Sequence, residues 1–483
     1  MSLKRRLIRG GAWVFGGKLI SILSAFVLNL LLTRNLKPAD YAAYFVCFNT
    51  VIILVTVATF GMDQIAVRMI AVTTAAGRFV LARRIVLRCL GIVAVGGLLM
   101  VAVLAAGSNW LFATQLKMPQ IVPVTGIVLC WLLAASLQRQ IAETFRGFGD
   151  IRLATMFGGL RNNGFLINAA ICFTVGGFAL AHALSLERVF AILAACSGLV
   201  VLLSLALLAR KIRRREDVAM PETATPMAIS ARPAYLLHES WPLWISMLVT
   251  VLNNQGVGWL AAKFDVPSRV ALFGLAQQFA VMAITPAIMG NSVMPPIIAE
   301  LYSRREMGRL ERVAQTVAGL VSIPSAGIFL LLLFAGQDLL GKIFGSYYQA
   351  AYPLLLIMCA GQVVNVATGS WQVVLPMVGQ KNQMLLLSLF SATLQAVVGV
   401  LAGRHWGVYG VAWAFCLSMT LTNLAGMVVV HRRLGVWTYV WVDRKVIVEL
   451  FAMVKNRLAG GRSAKGDVGV ATAEAAPGSK GSA

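Results

Sequence analysis

Apolar residues run along almost the whole chain in long blocks, broken by short polar or basic stretches. A helix needs about 20 mostly apolar residues to cross the hydrocarbon core of a bilayer. By that measure the pattern predicts about twelve spans, at 11–33, 42–60, 85–107, 121–142, 153–177, 188–209, 241–262, 271–299, 313–335, 350–378, 383–402 and 407–430. The expected fold is therefore an all-α integral membrane protein. Between the sixth and seventh spans, a linker at 210–240 opens on basic residues and continues through Pro221, Thr223, Thr225 and Pro226, a turn-rich composition. It divides the chain into two six-helix bundles, 1–209 and 241–430. Beyond the last span, Val446, Ile447, Leu450, Phe451 and Val454 share one face of an expected amphipathic helix at 443–458. The Gly/Ala/Ser-rich remainder of the 431–483 segment reads as disordered.

The two bundles repeat one another at a fixed offset. Pro38-Ala39-Asp40-Tyr41 and Tyr44 fall over Pro267-Ser268-Arg269-Val270 and Phe273, then Gly61 over Gly290 and Arg83 over Arg312. Six spans is an even number, so the halves share one topology and are related by an axis along the membrane normal. Two such bundles with a cavity between them form a transporter layout. Pro242, Pro286, Pro295, Pro296, Pro324, Pro353 and Pro376 all fall in or beside spans of the second bundle, where proline kinks helices. Two readings stay open: that half bends during transport, or the kinks are static and help packing.

Composition agrees with the span pattern. Of 483 residues, 59% are hydrophobic and 12% charged, against about 25% charged in an ordinary soluble domain. The net charge of +24 is not a nucleic-acid signature, because its distribution follows the loops. Arg34, Lys37, Lys117, Arg188, Lys263, Arg269, Lys342 and Arg404 lie on one side. Apart from Lys18, Arg68 and Arg161, the remaining basic residues, Arg139 among them, fall on the other. Positive charge marks the cytoplasmic side, which places both termini and the linker there. The apolar run 11–33 after Lys4, Arg5, Arg6 and Arg9 is too long for the apolar region of about 7–15 residues in a signal peptide, so it reads as an uncleaved span. The seven cysteines lie in apolar runs without paired spacing and read as small buried hydrophobes.

Candidate chemistry lies in the polar residues within the spans. Arg161 falls near the middle of the predicted 153–177 helix, with Asn162 and Asn163 beside it and Asn168 two turns on. A guanidinium at that depth costs about 2.5–3.5 kcal/mol or more and is tolerable only toward a wet interior, where it would attract an anion. Lys18 and Asn29 share a face of the first span, and Lys18 is near enough to its cytoplasmic end that snorkelling is the alternative to lining a cavity. Asn253-Asn254-Gln255 and Gln277-Gln278 put amides in the seventh and eighth. Gln362, Asn365 and Gln372 form a stripe in the tenth, and Ser388, Ser391 and Gln395 another in the eleventh. A single amide is adequately explained as interhelical glue worth about 0.6 kcal/mol. Stripes on five spans point instead to a hydrated, sugar-compatible cavity. The expected substrate-binding set is Arg161, Lys18, Asn29, Asn162, Asn168, Asn254, Gln278, Asn365 and Gln372. Asp63 and Arg68, just past the second span, read as members of structural ion pairs, with each other or with another helix. No carboxylate falls in the middle of a span, and no histidine cluster, phosphate loop or nucleophile motif occurs. Catalysis, a metal and a cofactor are not expected.

Several stretches resemble the polysaccharide transporters of the multidrug/oligosaccharidyl-lipid/polysaccharide (MOP) exporter superfamily, the O-antigen and exopolysaccharide flippases of Wzx type. They are Leu3-Lys4-Arg5-Arg6 through Asn35-Leu36-Lys37-Pro38-Ala39-Asp40-Tyr41, Phe60-Gly61-Met62-Asp63-Gln64 with Arg68, Phe145-Arg146-Gly147-Phe148-Gly149, and Gly407-Val408-Tyr409-Gly410-Val411-Ala412. The chain departs from the family at Ala42, where many relatives carry glycine, and at Asn253-Asn254-Gln255, where they carry an aspartate. The resemblance implies two MATE/MOP-like bundles that move an undecaprenyl-diphosphate-linked oligosaccharide across the bacterial inner membrane. Arg161 and Lys18 would meet the diphosphate, the amides would meet the glycan, and the lipid tail would stay among membrane lipids. A polysaccharide polymerase and chain-length machinery would be the protein partners, and nucleic acid would not be one. An ion gradient is left open as the driving force. The other reading within the superfamily is a drug or organic-cation antiporter, which would call for an intramembrane acid.

Overall fold

In the computed structural model, residues 3–159, 164–216, 231–291 and 294–441 are described. Among them every regular element is a helix. The first half contains α1 (Leu3–Asn35), α2 (Pro38–Ala58), α3 (Met62–Ala75), α4 (Phe79–Ser108), α5 (Thr125–Gly147), α6 (Ile151–Phe157), α7 (Phe165–Leu180) and α8 (Leu186–Glu216). The second contains α9 (Pro233–Phe264), α10 (Pro267–Ala283), α11 (Thr285–Asn291), α12 (Met294–Ser303), α13 (Met307–Phe344), α14 (Tyr352–Ala367), α15 (Trp371–Met377) and α16 (Lys381–Leu434). Among the described residues eight helices are long and apolar enough to cross a membrane, and the bent pair α10–α11 makes nine. The α16 run is broken at Gly407 and serves as two crossings. With α9 and the interrupted α6–α7 pair, the total reaches about twelve.

The repeat between halves is visible in the elements. Both α2 and α10 start on a proline in the first helical turn, at Pro38 and Pro267, where a missing N–H costs nothing. Arg83 and Arg312 lie near the starts of α4 and α13. The glycine match is looser: Gly61 is the left-handed cap of α3, whereas Gly290 is inside α11.

The fifth span differs from expectation. The continuous helix predicted over 153–177 ends at Phe157 and restarts at Phe165. A glycine-rich stretch causes the break. Gly158 and Gly164 approach so closely that a Cβ on Gly164 would fall on the Gly158 carbonyl. The carbonyls freed at the end of α6 are not left bare, because buried Gln138 of α5 donates its Nε2 to Phe157 O (3.2 Å) and Gly158 O (3.0 Å). Asn168 lies on α7, which begins at Phe165, so a depth estimated from one continuous helical rise over 153–177 does not apply.

Two further spans are interrupted. α10 and α11 meet at a bend of 46° just before Pro286. α14 gives way to α15 at 368–370, where the chain after the last span covers the gap. There Val440 N donates to Ala367 O (2.9 Å) and Thr438 Oγ1 donates to Thr368 O (2.8 Å). Of the remaining predicted kink prolines, Pro242, Pro324 and Pro376 lie inside α9, α13 and α15. The predicted 210–240 linker contains the last turns of α8 and the first turns of α9, and the amphipathic helix at 443–458 and the tail lie outside the described residues.

Arg139 was expected among loop charges on the basic side. It lies instead within α5, 7% exposed, against Asp63, which is 1% exposed. Its Nη2 and Nε donate to Asp63 Oδ2 at 2.7 and 2.9 Å, and its Nη1 donates to Thr56 Oγ1 at 3.2 Å. Arg68 instead faces Glu239 of α9 at 3.7 Å. Both residues thus pair with other helices. The cysteines are free, but Cys130 is exposed and Cys172 and Cys196 are half-buried. An apolar exterior accepts a thiol as readily as the core does.

Two predictions follow from these buried polar groups. Asp265, at the end of α9, accepts from Val408 N (3.0 Å) and Val266 N (2.8 Å), and so anchors the start of the last crossing beside Gly407. Asp265→Ala is expected to destabilise by about 1–3 kcal/mol, seen as a lower melting temperature in detergent, with Asp265→Asn retaining most of the stability. Arg139→Leu leaves a carboxylate buried alone and should cost about 3–5 kcal/mol. The double variant Asp63→Leu/Arg139→Leu should regain most of that, and an equally unstable double variant would refute this account.

Candidate functional site: an amide-lined cavity between the halves

Helix α2 forms the seam between halves. Its residues Tyr41 to Cys47 are buried, and it packs on α9 and α10. Phe45 lies over Gly258 and Gly274, with a ring carbon 2.8 Å from where a Cβ on Gly274 would sit. Trp259 Nε1 donates to Thr50 Oγ1 (2.8 Å) and Trp244 Nε1 to Thr56 O (2.9 Å). At the end away from the basic loops, α1 is tied to the second half. Arg34 Nε donates to Ile343 O (2.7 Å), its Nη2 donates to Lys342 O, and Phe26 packs edge-on against Phe279 and Phe344. Tyr41 meets Tyr348 edge-on in the same region.

Below this closure lies a cavity of about 600 Å³. Its lining descends from Asn29, Tyr44 and Phe45 to Gln372, Met384 and Asn423, toward the basic end. The lining contains eight asparagines and six glutamines, and among its described residues no acidic, basic or histidine side chain. The amides are unevenly shared. Asn29, Asn49 and Asn168 come from the first half, and the other eleven from the second. Tyr44, Phe45 and Phe48 of α2 face the amide-rich half, where Trp371 and Phe415 also reach the cavity.

Of the nine residues proposed from the sequence, six line this cavity: Asn29, Asn168, Asn254, Gln278, Asn365 and Gln372. They come from α1, α7, α9, α10, α14 and α15, so the helical stripes do converge on one space. Lys18 does not line it. It is half-buried on α1, next to Gly17, which packs against Thr155 and Phe165 on either side of the α6–α7 break. Arg161 and Asn162 lie outside the described residues.

Several members are already engaged. Asn29 Nδ2 donates to Ala25 O (2.8 Å) while its Oδ1 accepts from Tyr41 Oη (2.9 Å). Asn365 Nδ2 donates to Gln362 Oε1 (3.2 Å), and Trp371 Nε1 to Asn423 Oδ1 (2.8 Å). Asn253 Nδ2 donates to Ser391 Oγ (3.1 Å), Gln395 Nε2 to Asn253 O (2.6 Å), and Gln277 Nε2 to Asn254 O (3.0 Å). These bonds orient the amides and leave selected polar atoms for something else. Such a site can hold an uncharged, hydroxyl-rich group by hydrogen bonds and stack it on aromatic faces. Among the described residues no cluster could hold a metal ion.

Sequence reasoning did not single out Asn49, Asn291 or Asn423. Asn49 and Asn423 do interrupt apolar runs, and that was the available signal. The aromatic wall had no signal, because an aromatic residue in a span reads the same whether it faces lipid, core or cavity.

The sequence model of the family described as polysaccharide biosynthesis protein matches residues 7–302. No curated protein matches the chain. Among solved structures, an inward-facing multidrug resistance MATE family transporter of the MOP superfamily aligns with a TM-score of 0.65 at 13% identity, covering 88% of this chain and 98% of that one. The lipid II flippase MurJ in an inward closed conformation aligns with a TM-score of 0.62 at 10% identity, covering 88% of this chain and 87% of that one. A Vibrio cholerae MATE transporter aligns with a TM-score of 0.59 at 15% identity, covering 89% and 98%. These likenesses are in fold, and the match over more than half the sequence decides the family: the chain belongs to the polysaccharide biosynthesis protein family, with a fold similar to that of MATE transporters and the MurJ flippase.

Proposed function

We propose that this protein is a flippase that carries an undecaprenyl-diphosphate-linked oligosaccharide across the bacterial inner membrane for the synthesis of surface polysaccharide, O-antigen or exopolysaccharide. The observation that carries this reading is the cavity, which is lined by fourteen amides and set between two equivalent halves. A glycan presents many hydroxyls and little charge, and neutral amides can exchange its hydration shell group by group. A polar headgroup crossing a bilayer unaided would have to shed that shell into hydrocarbon. Burying it in a wall of amides while the lipid tail remains outside lowers that barrier.

Closure at the Arg34 end, with lining that continues toward the basic end, supports an inward-facing state loaded from the cytoplasmic leaflet. Both termini are cytoplasmic in this reading. Arg161 would meet the diphosphate, because a planar guanidinium donates to phosphate in pairs, with Lys18 contributing charge nearby. The family also supports membrane lipids as the surroundings of the tail; a polymerase and chain-length machinery are part of the proposal as downstream partners. Coupling to an ion gradient is part of the proposal as a driving force, with the ion unassigned.

Deletion of the gene is expected to abolish surface polymer and leave lipid-linked repeat units accumulating on the inner leaflet, measured by leaflet-selective labelling of extracted lipids. Arg161→Ala should insert at normal levels and give at least a tenfold lower export, on the order of one lost charge-assisted contact. Intact polymer in the deletion strain, together with lost resistance to cationic drugs, would favour the antiporter reading instead.

A further inference from the structure

The contact that shuts the cavity at its outer end is made by one face of α1. Phe26, Leu30 and Arg34 are spaced four apart and so line up along the helix, with cavity-lining Asn29 beside them. Helix α1 packs on α6 and α7 of its own half, and this face carries it across to the second. Phe26 sits edge-on to Phe279 of α10 and Phe344 of α13, with ring centroids at 6.1 and 5.8 Å. Arg34 reaches the end of α13, where the last four carbonyls of a helix lack partners within it. Gly345 N returns to Gly341 O (3.0 Å). The next two carbonyls are filled from the other half: Arg34 Nη2 donates to Lys342 O and Arg34 Nε to Ile343 O (2.7 Å). A cation at this position also meets the negative end of the helix dipole. Tyr41 closes the circuit. Its Oη donates to Asn29 Oδ1 (2.9 Å), and its ring lies 6.0 Å from Tyr348, in the short turn Ser346–Ala351 that follows α13.

We infer that Arg34 is the latch of an outer gate: cargo leaves on the outer side only after Arg34 releases the end of α13 and the halves part there. This rests on the transport reading and is independent of which cargo the cavity holds. The donor and its acceptors lie on opposite sides of the seam, so parting the halves at this end breaks the bond. The bond is also of a kind that can open. Arg34 is exposed, so water takes up the guanidinium and the carbonyls as soon as they separate. Its partners are backbone carbonyls rather than a carboxylate, and release strands no counter-charge. The Arg139–Asp63 pair is the opposite case, because both groups are buried and separating them leaves two bare charges in the interior. One pair is therefore a fixed strut and the other a releasable catch. The catch sits on the same helix as Asn29, so the cavity wall and the gate move together.

The test uses the full chain with its seven cysteines replaced by alanine and one reporter thiol, Ser388→Cys, in the cavity wall. A membrane-impermeant methanethiosulfonate reagent is added to sealed spheroplasts, which present the outer face, and to inverted vesicles, which present the cytoplasmic one. With Arg34 in place the reporter should react quickly from the cytoplasmic face and slowly from outside. Arg34→Ala should raise the outside rate on the order of tenfold, the scale of one charge-assisted hydrogen bond. Arg34→Lys keeps the charge without the planar fork and should fall between. The converse variant locks the gate: Arg34→Cys with Lys342→Cys, joined by a reducible thiol cross-linker, should stop polymer export until the linker is cleaved. An unchanged outside rate in Arg34→Ala overturns the latch. So does faster labelling from both faces, which means general loosening. Normal export with the cross-link in place, in a strain whose polymer needs this protein, overturns it too, and this arm decides where Arg34→Ala fails to insert. A raised outside rate in a strain whose polymer survives deletion of the gene would keep the gate and bring down the polysaccharide reading alone.

Discussion

A carbonyl or amide released by a broken helix has no water to turn to inside a bilayer, so it must find a partner within the protein. This constraint governs the architecture. The fifth span can open between Phe157 and Phe165 because Gln138 reaches across from α5 to the carbonyls at the end of α6. The tenth can open at 368–370 because Thr438 and Val440 return from beyond the last crossing. The long final run can break at Gly407 because Asp265 caps the segment that follows. Each of these three breaks is matched to a group from a different part of the chain, so helix interruption and tertiary packing are one decision.

The same rule separates the charged pair in the interior from the neutral amides of the cavity. Arg139 and Asp63 neutralise each other, and Thr56 takes a further guanidinium N–H. Such a pair contributes little net stability against an apolar replacement, yet it is costly to break. It joins α3 and α5 within the first half and lies apart from the amide wall. The cavity instead uses neutral groups, which can be buried half-satisfied at far lower cost than a charge. Neutrality suits a large hydroxylated cargo, since many weak bonds can be exchanged in sequence without a deep energy well.

The halves are similar in layout and different in chemistry. The first supplies the buried seam helix α2 and few amides, while the second supplies most of the polar wall together with the 46° bend and the internal prolines.

Much of this was legible in the residues alone. Span number and the split between 383–402 and 407–430 follow from hydrophobic length, because lipid imposes nearly the same length on every crossing. Amide stripes on α1, α9, α10 and α14 were legible because helical period fixes which residues share a face. What periodicity cannot convey is whether a helix continues. The run around 153–177 is apolar enough to span, yet it is interrupted where Gln138, nineteen positions before Phe157, reaches the carbonyls at the end of α6. Arg139 read as a loop charge because nothing local reveals that Asp63, 76 residues earlier, waits for it in the interior. Local order is written in the spacing of apolar and polar residues. The partners of buried polar groups come from distant parts of the chain, so tertiary structure alone decided them.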